Sequence, residues 1–314
     1  MSKYSVKPIS PQGLKTSSLV DRPSLVDVSG FARPMKQDGI QALLDSLPDI
    51  LAGRAFRELV KDLRVAREGG FMRLFGLGAH VIKVGLCPVL IDLMDLGWIS
   101  GIALNGAGII HDFEIAFSGK TSEDVPARLD KGCFGNAEET GAHLNEAIRS
   151  GAEESLGLGE AVGRMIARSS FPFKGSSLLG AAYERNIPVT VHVAVGTDVI
   201  HYHPSVDGKA LGQTSLQDFF LFCALVEKLE RGIYLNIGSA VILPEVFLKA
   251  LSVVRNKGLE LHSFSTAVFD FIRHYRPHHN VTTRPVGKEG RGAYFIGHHE
   301  LMIPLLAAAL KYSE

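Results

Sequence analysis

The chain has 314 residues, of which 46% are hydrophobic, and it balances 33 Lys and Arg against 33 Asp and Glu. This length suits one large α/β domain or two small ones, and the hydrophobic content is too high for a disordered chain. Balanced charge supplies neither the broad basic face that nucleic acid requires nor a polybasic patch for a membrane surface, so neither partner is expected.

Residues 1 to about 34 are rich in Ser, Pro and Lys with isolated apolar residues, which predicts an extended arm. The start carries no apolar stretch of the signal-peptide kind. No run of 18 apolar residues occurs that would span a membrane. Cys87, Cys133 and Cys223 are widely spaced and show no metal spacing; they predict reduced thiols in a cytoplasmic protein. From 36 to 67, Ile40, Leu43, Leu44, Leu47, Phe56, Leu59, Val60 and Leu63 recur at helical spacing. An arm with a helical cap is therefore expected over 1–67, ahead of an α/β domain over 68–314.

From Phe71 onward, apolar strands alternate with helices. Strands are predicted at 71–76, 99–104, 187–195, 232–237, 260–268 and 293–297. Helices are predicted at 84–96, 110–117, 137–150, 157–168, 175–185, 215–230, 243–257 and 299–311. The alternation predicts a single Rossmann-like, mostly parallel sheet with helices on both faces. Ligands of such sheets bind beyond the carboxyl ends of the strands. The small-residue turns fall there: Gly76 to Gly78, Asn105 to Gly108, Gly196 to Asp198 and Gly238 to Ala240. Glycine lets a backbone approach a ligand, and helix N-termini favour phosphate. The spacing of Gly76, Gly78 and Gly85 is not the common dinucleotide fingerprint. No GxSxG elbow, HExxH pair or GxxxxGK[ST] loop occurs, which argues against a hydrolase of those types and a P-loop NTPase. His201 and His203 alternate and would share one face of an extended segment. A metal there would need a third ligand such as Asp198; no metal is predicted.

The block Asn105-Gly-Ala-Gly-Ile-Ile-His-Asp-Phe-Glu114 resembles the Gly-rich turn and acidic helix start of deoxyhypusine synthases. The resemblance continues with gaps to the C-terminus and covers about three quarters of the chain. Those enzymes use NAD to move an aminobutyl group from spermidine onto a lysine of an acceptor protein. The resemblance implies NAD as cofactor and a polyamine such as spermidine as substrate. It also implies a homotetramer whose sites lie between subunits. Carried onto this chain, it places Gly78, Ala79 and Lys83 of the first turn at the cofactor. Lys83 stands where the family has a small hydroxyl residue. It adds Asn105, Gly106, Gly108, His111 and Asp112, then Gly238 and Ser239, then Thr266 and Asp270, and finally His298. Asp112 equally suits a helix start, where a carboxylate complements the dipole. Substrate contacts fall to Asp198, His201 and Glu245. Lys288, after Gly287, is the candidate imine-forming lysine, although the family's Trp before it is absent and the segment is shorter. Two functions follow: an NAD-dependent aminobutyl or aminoalkyl transferase, or a non-catalytic or altered-substrate binding protein on the same fold without the imine lysine.

Overall fold

The computed structural model describes residues 3–287 and 289–313. Residues 3–39 run over the surface without strand or α-helix, with turns at 12–13 and 19–21 and a 3-10 turn at Val28–Gly30. Helices α1 (Ile40–Ser46) and α2 (Leu51–Glu68) follow. The sheet then begins with β1 (Arg73–Leu77), α3 (Ala79–Lys83), α4 (Cys87–Asp95) and β2 (Gly101–Asn105). Next come α5 (Gly106–Ser118), α6 (Val125–Leu129), α7 (Glu138–Glu153), α8 (Leu158–Arg168), α9 (Leu178–Glu184) and β3 (Val189–His192). The second half holds α10 (Gly208–Glu227), β4 (Ile233–Ile237), α11 (Ile242–Asn256) and β5 (Ser265–Asp270). It closes with α12 (Tyr275–Pro277), a π-helical turn His278–Thr283, β6 (Arg291–Ile296) and α13 (His299–Tyr312).

The six strands form one sheet, all pairs parallel, in the order β3-β2-β1-β4-β5-β6. The order reverses between β1 and β4, and a doubly wound sheet opens its ligand crevice at that reversal. Both faces are covered, so the strands are nearly continuous apolar runs. Side-chain alternation sorts them. Leu77, Ile102, Leu104, Leu235 and Ile237 pack with α2, α4, α5 and α13 in one core. Leu74, Ala103, Tyr234 and Val268 pack with α10 and α11 in the other.

All six predicted strands are present within a few residues of their expected bounds. α10 begins earlier than expected because Asp207 caps it, accepting from Lys209 N at 2.9 Å and Ala210 N at 3.1 Å. α3, α6, α12 and the π-helical turn were not anticipated. Each is too short to show apolar periodicity.

Candidate functional site

The crevice is built from the ends of strands. Residues two apart on a strand share a face. Asn105 therefore lies with Ala103, Asn236 with Tyr234, and Asp270 with Val268, all on the α10/α11 face. His192 ends β3 on the same face, with its ring 5.2 Å from that of Phe222. Between them, β1 offers only Gly76, paired in register with Asn236. The result is a polar shelf at the carboxyl end of an otherwise apolar sheet, with a glycine at its centre.

This shelf is short of donors. Asn105 Oδ1, Asn236 Oδ1, Asp270 Oδ2 and Tyr234 OH are buried without a protein partner. Three of the four can only accept. Buried polar atoms are almost always satisfied in folded proteins, so the shelf calls for water or a donor-bearing ligand. On the far side of the strand ends, the fully buried His299 brings its Nε2 within 3.2 Å of Phe269 O and leaves Nδ1 bare. Burial holds its pKa below the ordinary histidine value. Gly238, at φ +71°, accommodates this ring, since a Cβ there would stand 2.7 Å from His299 Cε1.

Several anticipated residues lie on the turns and helix starts that follow the strands. Gly78 continues the ladder past β1, donating to Ile237 O at 2.8 Å. Ala79 and Lys83 follow on α3, with Lys83 exposed. Gly106 and Gly108 open α5. A side chain at Gly106 would meet Asp198 Oδ2 at 2.0 Å, so the Asp198 carboxylate rests against the α5 N-terminus. Burial raises the Asp198 pKa, and nearby His201 opposes this. His201 Nε2 lies 3.8 Å from that carboxylate, while its Nδ1 accepts from Gly196 N at 3.1 Å. Burial lowers the His201 pKa. Asp270 is buried with His274 Nε2 at 3.7 Å. His298 is exposed at the start of α13.

Other anticipated residues are placed differently. Asp112 does not face the crevice. It is fully buried and accepts from Leu178 N at 2.7 Å, Leu179 N at 3.1 Å and the Ser177 hydroxyl. Its carboxylate anchors the start of α9, and burial pushes its pKa up to about 6. Thr266 sits near the opposite end of β5, where its hydroxyl donates to Val281 O at 2.9 Å. It lies four residues before Asp270, about 13 Å along the strand. Ser239 is buried and accepts from Leu243 N at 3.2 Å, an internal task at the start of α11. Glu245 is held by Lys249, by Arg276 at 3.2 Å and by Asn280 at 2.9 Å; Lys249 chiefly lowers its pKa. His201 ends a 3-10 turn, Val199–His201, so it does not alternate with His203 along a strand. His203 instead pairs with Ser205 at 2.7 Å. Among the described residues, no group of three His, Cys, Asp or Glu side chains is placed to hold a metal. Lys288 lies outside the described residues.

His192, Asn236, Tyr234 and His299 were not assigned to the site. One signal marks three of them: a polar residue near the end of an apolar strand, as in Val189-Thr-Val-His192 and Ile233-Tyr-Leu-Asn-Ile237. A concavity of about 690 Å³ also exists. It lies at the opposite end of edge strand β3, around Tyr183, Pro188 and Leu221, away from this chemistry.

No family model and no curated protein matches the chain. Solved structures do match. The chain is similar to a protein described as a deoxyhypusine synthase from Entamoeba histolytica, with 12% identity, 87% of this chain, 93% of the other and a TM-score of 0.53. It is similar to an LOR/SDH protein from Methanococcus maripaludis S2, with 14% identity, 90% and 72% coverage, and a TM-score of 0.52. It also resembles ArgZ, a cyanobacterial arginine dihydrolase, with 16% identity and a TM-score of 0.51. AgrE, solved in complex with ornithine and NAD+, matches at 15% identity and a TM-score of 0.51. The chain covers 83% of its own length in the ArgZ match but spans only about a third (33%) of ArgZ, and 32% of AgrE. At such identities these likenesses establish a shared fold, including the deoxyhypusine synthase-like fold expected from the sequence.

Proposed function

We propose that this chain binds NAD and a polyamine-type amine such as spermidine at the carboxyl ends of β1, β2, β4 and β5, as an aminoalkyl transferase of deoxyhypusine synthase type. One observation carries the reading: buried acceptors Asn105 Oδ1, Asn236 Oδ1 and Asp270 Oδ2 line the strand ends beside the sheet's reversal point without donors. The carboxamide of nicotinamide and the ammonium groups of a polyamine both supply N–H donors. The site residues thus fit the cofactor as well as the substrate. Gly78, Ala79, Asn105, Gly106, Gly108 and Gly238 would hold the dinucleotide along the turns, with His298 at the rim. When bound, NAD supplies a hydride acceptor. Asp198 and Asp270 would hold ammonium groups. In this reading Asp112, Ser239 and Thr266 serve the fold, and Glu245 serves an ion-pair network. The active unit is a homo-oligomer, and an acceptor protein lysine is the second substrate.

A binding role without lysine chemistry is the second reading. It is favoured by Lys83, which brings a cation into the first turn beside His111.

Titration of the chain with NAD, with and without spermidine, tests both. Under the proposed reading NAD binds, and spermidine binding weakens in Asp198→Asn by about 1.5–3 kcal/mol, the range for a hydrogen bond to a charged group. Unchanged spermidine affinity in a folded Asp198→Asn variant removes Asp198 from the site. NAD binding without any NADH formation on addition of spermidine supports the binding role.

A further inference from the structure

On the reading just given, we propose that His111 is the proton acceptor, held with a bare Nε2 by a relay through Thr121 to Glu114. His111 neighbours Lys83 and His80 of α3, and the His80 ring lies 5.8 Å from that of His299 at the strand ends. The geometry sets the direction of every proton in that relay. His111 Nδ1 lies 2.7 Å from Thr121 Oγ1, and Thr121 Oγ1 lies 2.6 Å from Glu114 Oε2. An ionised carboxylate only accepts, and a hydroxyl has one proton to give. Thr121 therefore donates to Glu114 and accepts from His111 Nδ1–H. A neutral His111 then carries its proton on Nδ1, and the lone pair is on Nε2.

The relay is fixed at both ends. Thr140 Oγ1 donates to the other Glu114 oxygen at 3.3 Å. The residue after Thr121, Ser122, adopts φ +68°, a left-handed turn that directs the chain back over α5. His111 and Glu114 are one turn apart on the same helix, so a rigid element carries both. The charged and titratable groups around His111 are Lys83 and His80 from α3, and Glu114 from its own helix. Glu123 acts on Glu114 from the following loop. Burial first, then Lys83 and His80, hold the His111 pKa below the ordinary value. Burial raises that of Glu114. His111 is thus neutral at neutral pH and able to take a proton.

The proposed chemistry needs such a group. Oxidising a carbon that bears an amine removes a C–H pair as hydride and the N–H proton separately, and a C=N bond forms. NAD, when bound, would supply the hydride acceptor, and His111 Nε2 would take the proton. Glu245, the acid that the resemblance assigned to the substrate, is neutralised by Lys249 and Arg276 and is held ionised as a weaker base. Protonated His111 beside Lys83 is electrostatically disfavoured, which promotes return of the proton when the hydride returns.

Nitrogen-15 NMR of histidine in the ligand-free chain tests the relay without any turnover. His111 should show the Nδ1–H tautomer and titrate below 6.5. Thr121→Val should abolish the tautomer preference, and Thr121→Ser should restore it. NADH absorbance on mixing NAD and spermidine tests the role. His111→Gln should slow NADH formation at least tenfold. Thr121→Val should lower kcat with little change in KM and shift the acidic limb of the pH profile. An Nε2–H tautomer, or a tautomer unmoved by Thr121→Val, overturns the relay. An unchanged rate in His111→Gln overturns the proton-acceptor role. Failure of the unaltered chain to bind NAD, with the tautomer as expected, defeats the dinucleotide reading and the role together while leaving the relay intact.

Discussion

Asp112 and Asp218 are buried carboxylates that bond main-chain N–H groups of neighbouring elements. Asp218, on α10, accepts from Gly159 N at 2.9 Å and Val191 N at 2.7 Å. It joins the start of α8 to the outer edge of strand β3 and blocks an edge that would otherwise present free amides. Burial raises Asp218 to about 7 and Asp112 to about 6, from 3.8. Protonation is therefore easier in the folded than in the unfolded chain. Between 3.8 and these values the folded chain binds more protons than the unfolded one, so stability falls as pH rises through that window. Each group contributes a slope of at most about 1.4 kcal/mol per pH unit. Denaturant titrations from pH 4 to 7 should show this decline, and Asp218→Asn should flatten it. A wild-type stability that rises across the same range would contradict the assignment. Asp112→Ala leaves three donors at the α9 start without their acceptor. At about 1–3 kcal/mol for each buried donor left unsatisfied, it should cost roughly 3 kcal/mol or more.

At the level of elements, the α5 start shows how a short turn can hold a site together. Gly106 is the first residue of α5, and the Asp198 carboxylate occupies the space where its Cβ would stand. Gly106→Ala must therefore push Asp198 aside. The expected result is weaker spermidine binding, close to that of Asp198→Asn, with the helix preserved because Ala favours helix. Calorimetry on both variants checks this. Equal spermidine affinity in Gly106→Ala and the unaltered chain would mean that the Asp198 position does not matter. The strand ends also set apart one anticipated residue. Thr266 is small and polar in an apolar strand, yet it sits near the start of β5 and satisfies Val281 O. A polar residue in a strand serves a crevice only at the carboxyl end.

Across the whole molecule, two features extend beyond the sheet. α2 and α13 pack against the same face, and Arg64 on α2 reaches Ala309 O at 3.2 Å. The helical cap is thus part of the main core. The arm differs: Ile9, Val20 and Leu25 are 90% exposed or more. Apolar side chains displayed this way gain free energy when another surface covers them. The expected partner is a second copy of the chain. Light scattering should give a mass well above the 34.0 kDa of one chain, falling when residues 1–36 are removed. A mass near that of one chain at micromolar concentration, with the arm intact, would rule this out.

The sequence alone determined the α/β class, the six strands and the small-residue turns at their ends. Apolar alternation and glycine placement are local signals, and neighbouring residues suffice to read them. The resemblance it carries also pointed to Asn105, Asp198, Asp270 and His111, together with Asp112, Thr266, Ser239 and Glu245, as candidate ligand contacts. It could not separate Asp112 from His111. Consecutive residues on a helix point about 100° apart, and only the packing of α9 decides that one is buried as an anchor while the other faces α3. Nor could it show that Asn236, Tyr234 and His192 join Asn105 on one shelf. Those residues are more than a hundred positions apart at the extremes of β2 and β4, and parallel pairing in the order β3-β2-β1-β4 brings them together. The relay from His111 to Glu114 depends likewise on Thr121, whose position is set by the fold of a loop over α5 and by no periodicity in the chain.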